Sequence, residues 1–515
     1  MTASTSADAD AQDRVFAFLT DPATHPGVHR IDTHAAAVFL EGASALKIKL
    51  AARFPYLDYS TLAKRKAACD EEIKVNRPFA PQIYHRVVPI TQNADGSLGI
   101  DGSGPPVEFA IEMTRFDERQ TIDHLAEAGE PDRDLVDAIA DVIAASHAVA
   151  PPAPAEPWIE SIPAFIDDNS MAFRTAAFPA SDVDDLDDAS RSAFCRVRKL
   201  LEQRGKQGYV RRCHGDLHLA NIVLIEHKPV LFDAIEFDLT IASVDIVYDL
   251  AFPMMDLLHY GRRAAANDLL NRYLKTAPLE HIDALAALPL FMSLRAAIRA
   301  KVLLARLGRS SRGKAEILYP AQAYFKLAQQ LIHPPAPTLV AVGGLSGTGK
   351  SVLARALAPI VTPQPGAVVL RTDVLRKQEF GVNETDRLPE TAYQSEMTKK
   401  IYDLLVQQAA RILSQGHSVI VDAVFAQESE RAAICEVAHR LNIRLVGLFL
   451  QTDLATRLSR VGHRRRDASD ATPEIAGLQE QYDSGAVDWD IIDASGTPGH
   501  ILERCRTRIT HRKAA

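Results

Sequence analysis

Gly344-Leu345-Ser346-Gly347-Thr348-Gly349-Lys350-Ser351 satisfies the pattern G-x-x-x-x-G-K-[ST], with an apolar run before it and a helical pattern after it. Glycines let a backbone curl until successive N–H groups point at phosphate oxygens, and the N-terminus of the following helix adds positive potential. Lys350 is then placed to bridge the β- and γ-phosphates of ATP, and the Ser351 hydroxyl to ligate Mg2+. A Gly-rich turn alone is more often only a turn. The Lys-Ser pair at this offset, between strand and helix, makes it a nucleotide site, so Gly344, Leu345, Ser346, Gly347, Thr348, Gly349, Lys350 and Ser351 are all assigned to the cofactor.

Two carboxylates end strands near this loop. Asp422 terminates Ser418-Val419-Ile420-Val421, placed to hold the metal; Asp373 follows Val368-Val369-Leu370-Arg371-Thr372, placed to accept the proton of an acceptor hydroxyl. Helix capping is the structural alternative for either acid. Arg457, Arg460, Arg464, Arg465 and Arg466 cluster ahead of Asp467-Ala468-Ser469-Asp470-Ala471. An arginine of this group, taken as Arg464, can close over the phosphates and stabilise developing charge; a solvated basic loop is the alternative.

A second constellation lies upstream. His214-Gly215-Asp216-Leu217-His218-Leu219-Ala220-Asn221 carries an acid and an amide five residues apart, and Asp233 ends Val230-Leu231-Phe232. That spacing serves phosphoryl transfer when Asp216 takes the acceptor's proton and Asn221 and Asp233 hold the metal. Short strands at Ile222 to Leu224 and Val230 to Phe232 would fold as a hairpin and return Asp233 toward Asn221. Lys47 and Lys49, in Leu46-Lys47-Ile48-Lys49-Leu50, share one strand face.

The elements that must position these residues fall into two textures. Residues from about 28 to 113 read as strands with one charged helix, from about Ser60 to Asn76; Ala37 to Leu40 and Ala45 to Leu50 form a hairpin, and Val107 to Met113 another strand. From about 114 to 333 the pattern is mainly helical, with Pro151 to Pro157 as a surface loop. His333-Pro334-Pro335-Ala336-Pro337 then stops the last helix and marks the main boundary. Beyond it, strands at Thr338 to Val342, Ala367 to Arg371, Ser418 to Asp422, Arg444 to Leu450 and Trp489 to Asp493 alternate with helices. That alternation implies a parallel sheet covered by helices. The expected chain is thus an α/β and α+β two-domain protein.

From about Thr338 onward, the P-loop, Thr372-Asp373, the Asp422 strand and the Arg-rich Asp-Ala-Ser-Asp-Ala segment resemble the P-loop kinases related to gluconate kinase, zeta toxins and polynucleotide kinase. Residues from about 28 to 333 resemble the aminoglycoside phosphotransferase branch of the bilobal protein-kinase-like fold, through His214-Gly215-Asp216, Asn221, Asp233, Asp245 and Tyr248-Asp249-Leu250-Ala251. The second resemblance implies that Asp249 supports the catalytic loop, and that a strand lysine paired with a helix glutamate grips the α- and β-phosphates. Lys49 is preferred over Lys47 for the lysine, and Glu72 over Glu71 for the partner. One departure stands out: Arg30 to Ala37 offers Thr33 and His34 at the turn, and no glycine-rich loop.

Composition narrows the partners. Net charge is −8 over 515 residues, which gives no overall basic field for nucleic acid or an anionic membrane. The scattered Cys69, Cys195, Cys213, Cys435 and Cys505 provide neither a disulfide framework nor a zinc site. The start, MTASTSADADAQDR, has no apolar core and reads as no signal peptide, so a cytoplasmic location is expected. The functional expectation is a two-site, ATP- and Mg2+-dependent phosphotransferase acting on small hydroxylated acceptors. The alternatives are an ATPase or nucleotide sensor in which one domain regulates the other, and a P-loop domain that works on nucleic-acid ends.

Overall fold

A computed structural model describes residues 6–33, 35–54, 57–276, 278–307, 314–463, 468–482 and 484–510. By packing, the chain forms two compact units: Met1–Asp168 with Arg198–Tyr260, and Asn169–Val197 with Gly261–Ala515. Among the described residues, no helix is long and apolar enough to cross a membrane.

The first unit opens with helix α1 (Ser6–Leu19), an addition to the elements expected from the sequence. A six-stranded sheet follows, built from β1 (His29–Asp32), β2 (Ala36–Glu41), β3 (Ser44–Lys49), β4 (Tyr84–Gln92), β5 (Leu98–Ile100) and β6 (Pro106–Thr114) in the order β1-β2-β3-β6-β4-β5. Every pairing is antiparallel, and the β2–β3 hairpin joins Phe39 to Leu46 and Val38 to Lys47. Alternation along β3 divides its side chains between two layers. Ile48 packs with Val15, Phe16 and Leu19 of α1, while Ala45 packs with Cys69 and Ile111.

Helix α2 (Leu62–Asn76) starts at Thr61, whose side chain accepts from the Lys64 N–H. Its buried stripe is polar: Arg65, Cys69, Glu72 and Asn76 recur at helical spacing on one face. Arg65 pairs with Glu108 of β6 at 2.9 Å, both side chains almost fully buried. The lower part of this unit carries the hairpin of β7 (Ile222–Ile225) and β8 (Lys228–Leu231) and helix α3 (Ile246–His259).

In the second unit, helices α4 (Arg263–Thr276) and α5 (Lys314–Ile332) precede the proline-rich segment. Strands β9 (Thr338–Gly344), β10 (Val368–Arg371), β11 (Val419–Asp422), β12 (Arg444–Gln451) and β13 (Asp490–Asp493) then form a wholly parallel sheet in the order β10-β11-β9-β12-β13. Its helices are α6 (Lys350–Leu357), α7 (Thr372–Glu379), α8 (Ser395–Ser414), α9 (Leu454–Gly462), α10 (Pro473–Leu478) and α11 (Pro498–Thr510). Central strands buried on both faces read as continuous apolar runs, and Leu339, Val340, Ala341 and Val342 are all fully buried. Val340, Val342, Ile420 and Leu448 meet Leu353 and Leu357 of α6 and Ile501 of α11 in one core. The five strands expected beyond Pro337 are all present, each within two residues of the expected bounds.

Candidate active sites

In the first unit, the β7–β8 hairpin pairs Ile222 with Leu231, and the Phe232 N–H donates to the Asn221 carbonyl at 3.1 Å. This folds Asp233 back beside the loop that carries Asp216. Asp233 has φ +61°, a costly conformation for a residue with a side chain. Flanking hydrogen bonds hold it there. The Asp233 N–H donates to the Tyr84 hydroxyl at 3.1 Å, and the Ala234 N–H to Asn76 Oδ1 at 2.7 Å.

Asn221 donates its amide to the Asp216 carbonyl at 2.8 Å, which ties the two residues into one rigid loop. The Asp216 side chain remains 43% exposed, available to a ligand. Behind it, the fully buried Asp249 accepts from the Gly215 N–H at 3.0 Å and the His214 N–H at 3.3 Å. Gly215 has φ +82°, and a β-carbon there would lie 3.1 Å from Ala242, so the loop requires glycine at that position. Asp256 adds a further brace, accepting from the Leu219 N–H at 3.1 Å.

Both lysines of β3 reach Glu72, which is fully buried. Their other partners differ. Lys47 Nζ lies 2.8 Å from Glu72 and 2.5 Å from Asp233, whereas Lys49 is held between Glu72 and Glu236. Burial disfavours the Lys47 ammonium, but Asp233 and Glu72 hold its pKa well above the ordinary value. For Asp233 burial pushes upward, and the Lys47 charge and hydrogen bond together with the Lys49 charge outweigh it, so its pKa is lowered. Glu71, the alternative partner, faces outward and pairs with Lys74 and Arg212. The half-exposed carboxylates of Asp216 and Asp233, with the Asn221 amide hydrogen-bonded to Asp216 and Lys47 paired with Asp233, are groups that could hold a hard divalent cation with a phosphate group.

Glu236, Tyr59, Tyr84 and Asn76 were not legible as site residues. Glu236 accepts from the Tyr59 hydroxyl at 2.8 Å in addition to holding Lys49. Its position three residues beyond Asp233 is a signal that could have found it, and so is that of Asn76, one helical turn past Glu72. At the β1–β2 turn, the Ala36 N–H donates to the Thr33 hydroxyl at 2.9 Å. His34 lies outside the described residues.

In the second unit, the phosphate loop runs from β9 into the first turn of α6. Gly344, Gly347 and Gly349 take φ of +135°, +89° and +94°. A β-carbon on Gly347 would come within 2.6 Å of the Arg457 carbonyl oxygen, and one on Gly344 within 2.5 Å of that of Leu450. A cradle that only glycine fits, opening directly on a helix N-terminus, suits a polyphosphate. Lys350 Nζ donates to the Leu345 carbonyl at 3.1 Å, folded over the loop.

Lys350, Ser351, Asp373 and Asp422 all line one cavity of about 690 Å³, together with Arg376 and Glu430. Arg371, not singled out from the sequence, connects the two expected metal ligands: it donates to Ser351 Oγ at 2.9 Å and to Asp422 Oδ2 at 3.2 Å. Asp373 sits in the first turn of α7, and burial raises its pKa while Arg371 opposes the rise. A carboxyl poised above its ordinary range is a better proton acceptor near neutrality.

Arg457 and Arg460 of the arginine cluster turn toward the loop. Arg457 pairs with Glu480, and Arg460 donates to the Ala494 carbonyl at 2.9 Å. Gln479 accepts the Ser346 N–H at 2.7 Å, a phosphate-loop contact with no sequence signal. Lys377 is fully buried against Asp470 at 2.7 Å, and Asp470 also accepts from the Tyr393 hydroxyl at 2.6 Å. Arg464, Arg465, Arg466 and Asp467 lie outside the described residues.

Comparison with known proteins divides the chain differently from its packing, between residues 287 and 339. The family model described as "Phosphotransferase enzyme family" matches residues 58–287, and one described as "AAA domain" matches residues 339–483. The chain is 29% identical over 478 residues to Uncharacterized protein Rv2004c of Mycobacterium tuberculosis (strain ATCC 25618 / H37Rv), covering 88% of this chain and 90% of that protein. Uncharacterized protein Mb2027c of Mycobacterium bovis shows the same identity and coverage. Among solved structures, a choline/ethanolamine kinase family protein from Mesorhizobium loti aligns at 14% identity over 63% of this chain and 96% of its own, with a TM-score of 0.39. A gluconokinase from Sinorhizobium meliloti 1021 aligns at 19% identity over 34% of this chain and 91% of its own, with a TM-score of 0.26. Residues 58–287 thus match the phosphotransferase enzyme family model, and residues 339–483 of the same chain match an AAA domain model.

Proposed function

We propose that the chain is a cytoplasmic phosphotransferase with two Mg·ATP sites, each passing the γ-phosphoryl group to a hydroxyl of a small-molecule acceptor. One site belongs to a domain spanning about residues 28–333, the other to a domain spanning 338–515. The observation that carries the reading is the convergence of Lys350, Ser351, Asp422 and Asp373 on one cavity, matched in the first unit by Lys47, Asn221, Asp233 and Asp216. A cation for phosphate, oxygen ligands for a metal and a carboxylate base occur together twice. None of the five cysteines forms a disulfide among the described residues, which suits a reducing compartment.

Asn221 and Asp233 would hold magnesium in the first site, Ser351 and Asp422 in the second. The metal supplies neutralisation of phosphate charge when bound. In each site the carboxylate, Asp216 or Asp373, takes the proton as the acceptor oxygen bonds to phosphorus and the bond to the ADP oxygen breaks. Lys47 is our assignment for the phosphate lysine of the first site, because it touches Asp233, while Lys49 is enclosed between two glutamates. Lys350 has that role in the second site. Positioning and charge account for most of the rate in such chemistry.

A second reading keeps the first site as a nucleotide sensor, favoured by the glycine-free turn at Thr33. Calorimetric titration of the intact chain with Mg·ATP tests both. The proposal requires two equivalents bound, one in Lys350→Ala, and labelled phosphate transferred from each site when metabolite pools are screened. Binding at the first site without transfer would leave it a sensor; no binding at all would end the proposal.

A further inference from the structure

Strand β10 lies at the edge of the parallel sheet, and residues at its end run straight into Thr372 and Asp373. On its inner side it pairs with β11, Val368 N–H donating to the Ser418 carbonyl at 3.0 Å. Its outer side presents the Val369 N–H and the Ala367 carbonyl, polar groups that an edge leaves unmatched. Helix α4 meets both. Asn271 Oδ1 accepts the Val369 N–H at 2.8 Å, and Asn271 Nδ2 donates to the Ala367 carbonyl at 3.1 Å. Asn267 Nδ2 donates to the same carbonyl at 3.0 Å. A side-chain amide offers the donor and acceptor of a peptide group, so Asn271 takes the place of one residue of a missing neighbour strand.

Two further attachments extend the contact. Lys275, on the last turn of α4, pairs with Glu384 at 2.5 Å, in the loop whose Asp386 carbonyl meets Lys377 of α7. Asp283 forms a two-pronged pair with Arg411 of α8, at 2.8 Å to each oxygen, and α8 carries Tyr402 into the cavity. At Gly366, where the chain enters β10, φ is +123° and a β-carbon would lie 2.6 Å from Asn267 Nδ2, so the two segments approach as closely as glycine permits. Strand β10 runs into α7, which carries Thr372, Asp373 and Arg376 to the cavity, and α8 carries Tyr402 there. All three attachments come from residues 263–283, inside the stretch matched by the phosphotransferase family rather than the P-loop domain.

We infer that α4 is a positioning brace for the P-loop site, with Asn271 setting the edge strand that places Asp373 and Arg371. This rests on the reading of the second site as a phosphotransferase. Val369 is four residues from Asp373, so a shift of the strand carries directly to the base, and displacements near 1 Å cost such reactions up to about 10²-fold. Phosphate binding at Lys350 is on the central strand's loop and should be little affected.

The test uses the full chain carrying Asp216→Asn, so that ADP formation from Mg·ATP in the presence of the metabolite pool reports the second site. Asn271→Ala is expected to lower kcat at least about 10-fold with KM for ATP within about twofold, and to shift the acid limb of the kcat–pH profile. Lys275→Glu should lower kcat as well, and Lys275→Glu with Glu384→Lys should restore it to within about twofold. These two side chains are partly exposed, so the charge swap does not endanger folding. Unchanged kcat in Asn271→Ala would overturn the brace, and so would a parallel loss of kcat and ATP binding, or a double swap that restores nothing. Lys350→Ala separates the two ideas: if it leaves ADP formation intact, the site reading has failed, and protection of the Val369 amide in hydrogen exchange then judges the brace alone.

Discussion

The Lys47 ammonium lies 2.5 Å from the Asp233 carboxylate, joining residues 186 positions apart in the chain. Lys49, two residues further along the same strand, makes no such contact and is instead enclosed by Glu72 and Glu236. Two lysines on one strand face therefore have different partners, one reaching Asp233 and the other held between two glutamates.

That division is measurable. In a chain carrying Lys350→Ala, Lys47→Met is expected to lower turnover at the first site by about 10²-fold with little change in Tm. Lys49→Met should lower stability by about 3–5 kcal/mol, because it leaves Glu236 without its buried cation. Thermal melts and ADP formation distinguish the two; the reverse pattern would return the nucleotide role to Lys49.

Asp216→Asn keeps the loop's shape, since Asn221 bonds the Asp216 backbone carbonyl. Turnover at the first site should fall at least about 10²-fold while Mg·ATP still binds. Activity unchanged by this substitution would rule out Asp216 as the base.

Gly347→Ala forces a side chain onto φ +89° and against the Arg457 carbonyl. A strain of about 1–3 kcal/mol converts to roughly a 5- to 150-fold loss of nucleotide affinity at the second site. Calorimetry on the intact chain should show one equivalent weakened and the other unaltered.

Asp373 gives a pH signature. Burial raises its pKa above 3.8, so the folded state favours the protonated carboxyl. The associated stability is complete below the ordinary carboxylate range and is lost as pH rises through the folded value. Asp373→Asn should therefore melt at a higher temperature than the parent chain at pH 8, with the gain vanishing as pH falls to about 4. The same substitution should abolish turnover at the second site, and the parent's turnover should fall on acidification at a pH above that of a free aspartate. A lower Tm at pH 8 would contradict the buried-base description.

Local chemistry was readable wherever a short stretch of chain completes it. The phosphate loop is eight consecutive residues, and its glycines announce the positive φ values that Gly344, Gly347 and Gly349 adopt. The parallel sheet follows from apolar runs at regular intervals, and the Asp216–Asn221 loop and Asp233 hairpin lie within eighteen residues of sequence from Asp216 to Asp233. Partners chosen across the fold were not readable. Period-two alternation puts Lys47 and Lys49 on one face but cannot say which ends at Asp233, because that depends on where a distant loop comes to rest. Nor could it show that Arg371 spans Ser351 and Asp422, that Gln479 covers the Ser346 amide, or that Asn271 completes the edge of β10. Sequence specifies which groups are available and the geometry within a few residues of each. Long-range pairings are selected only when burial leaves a polar group or a charge that must find a partner, and that choice is made by the tertiary structure.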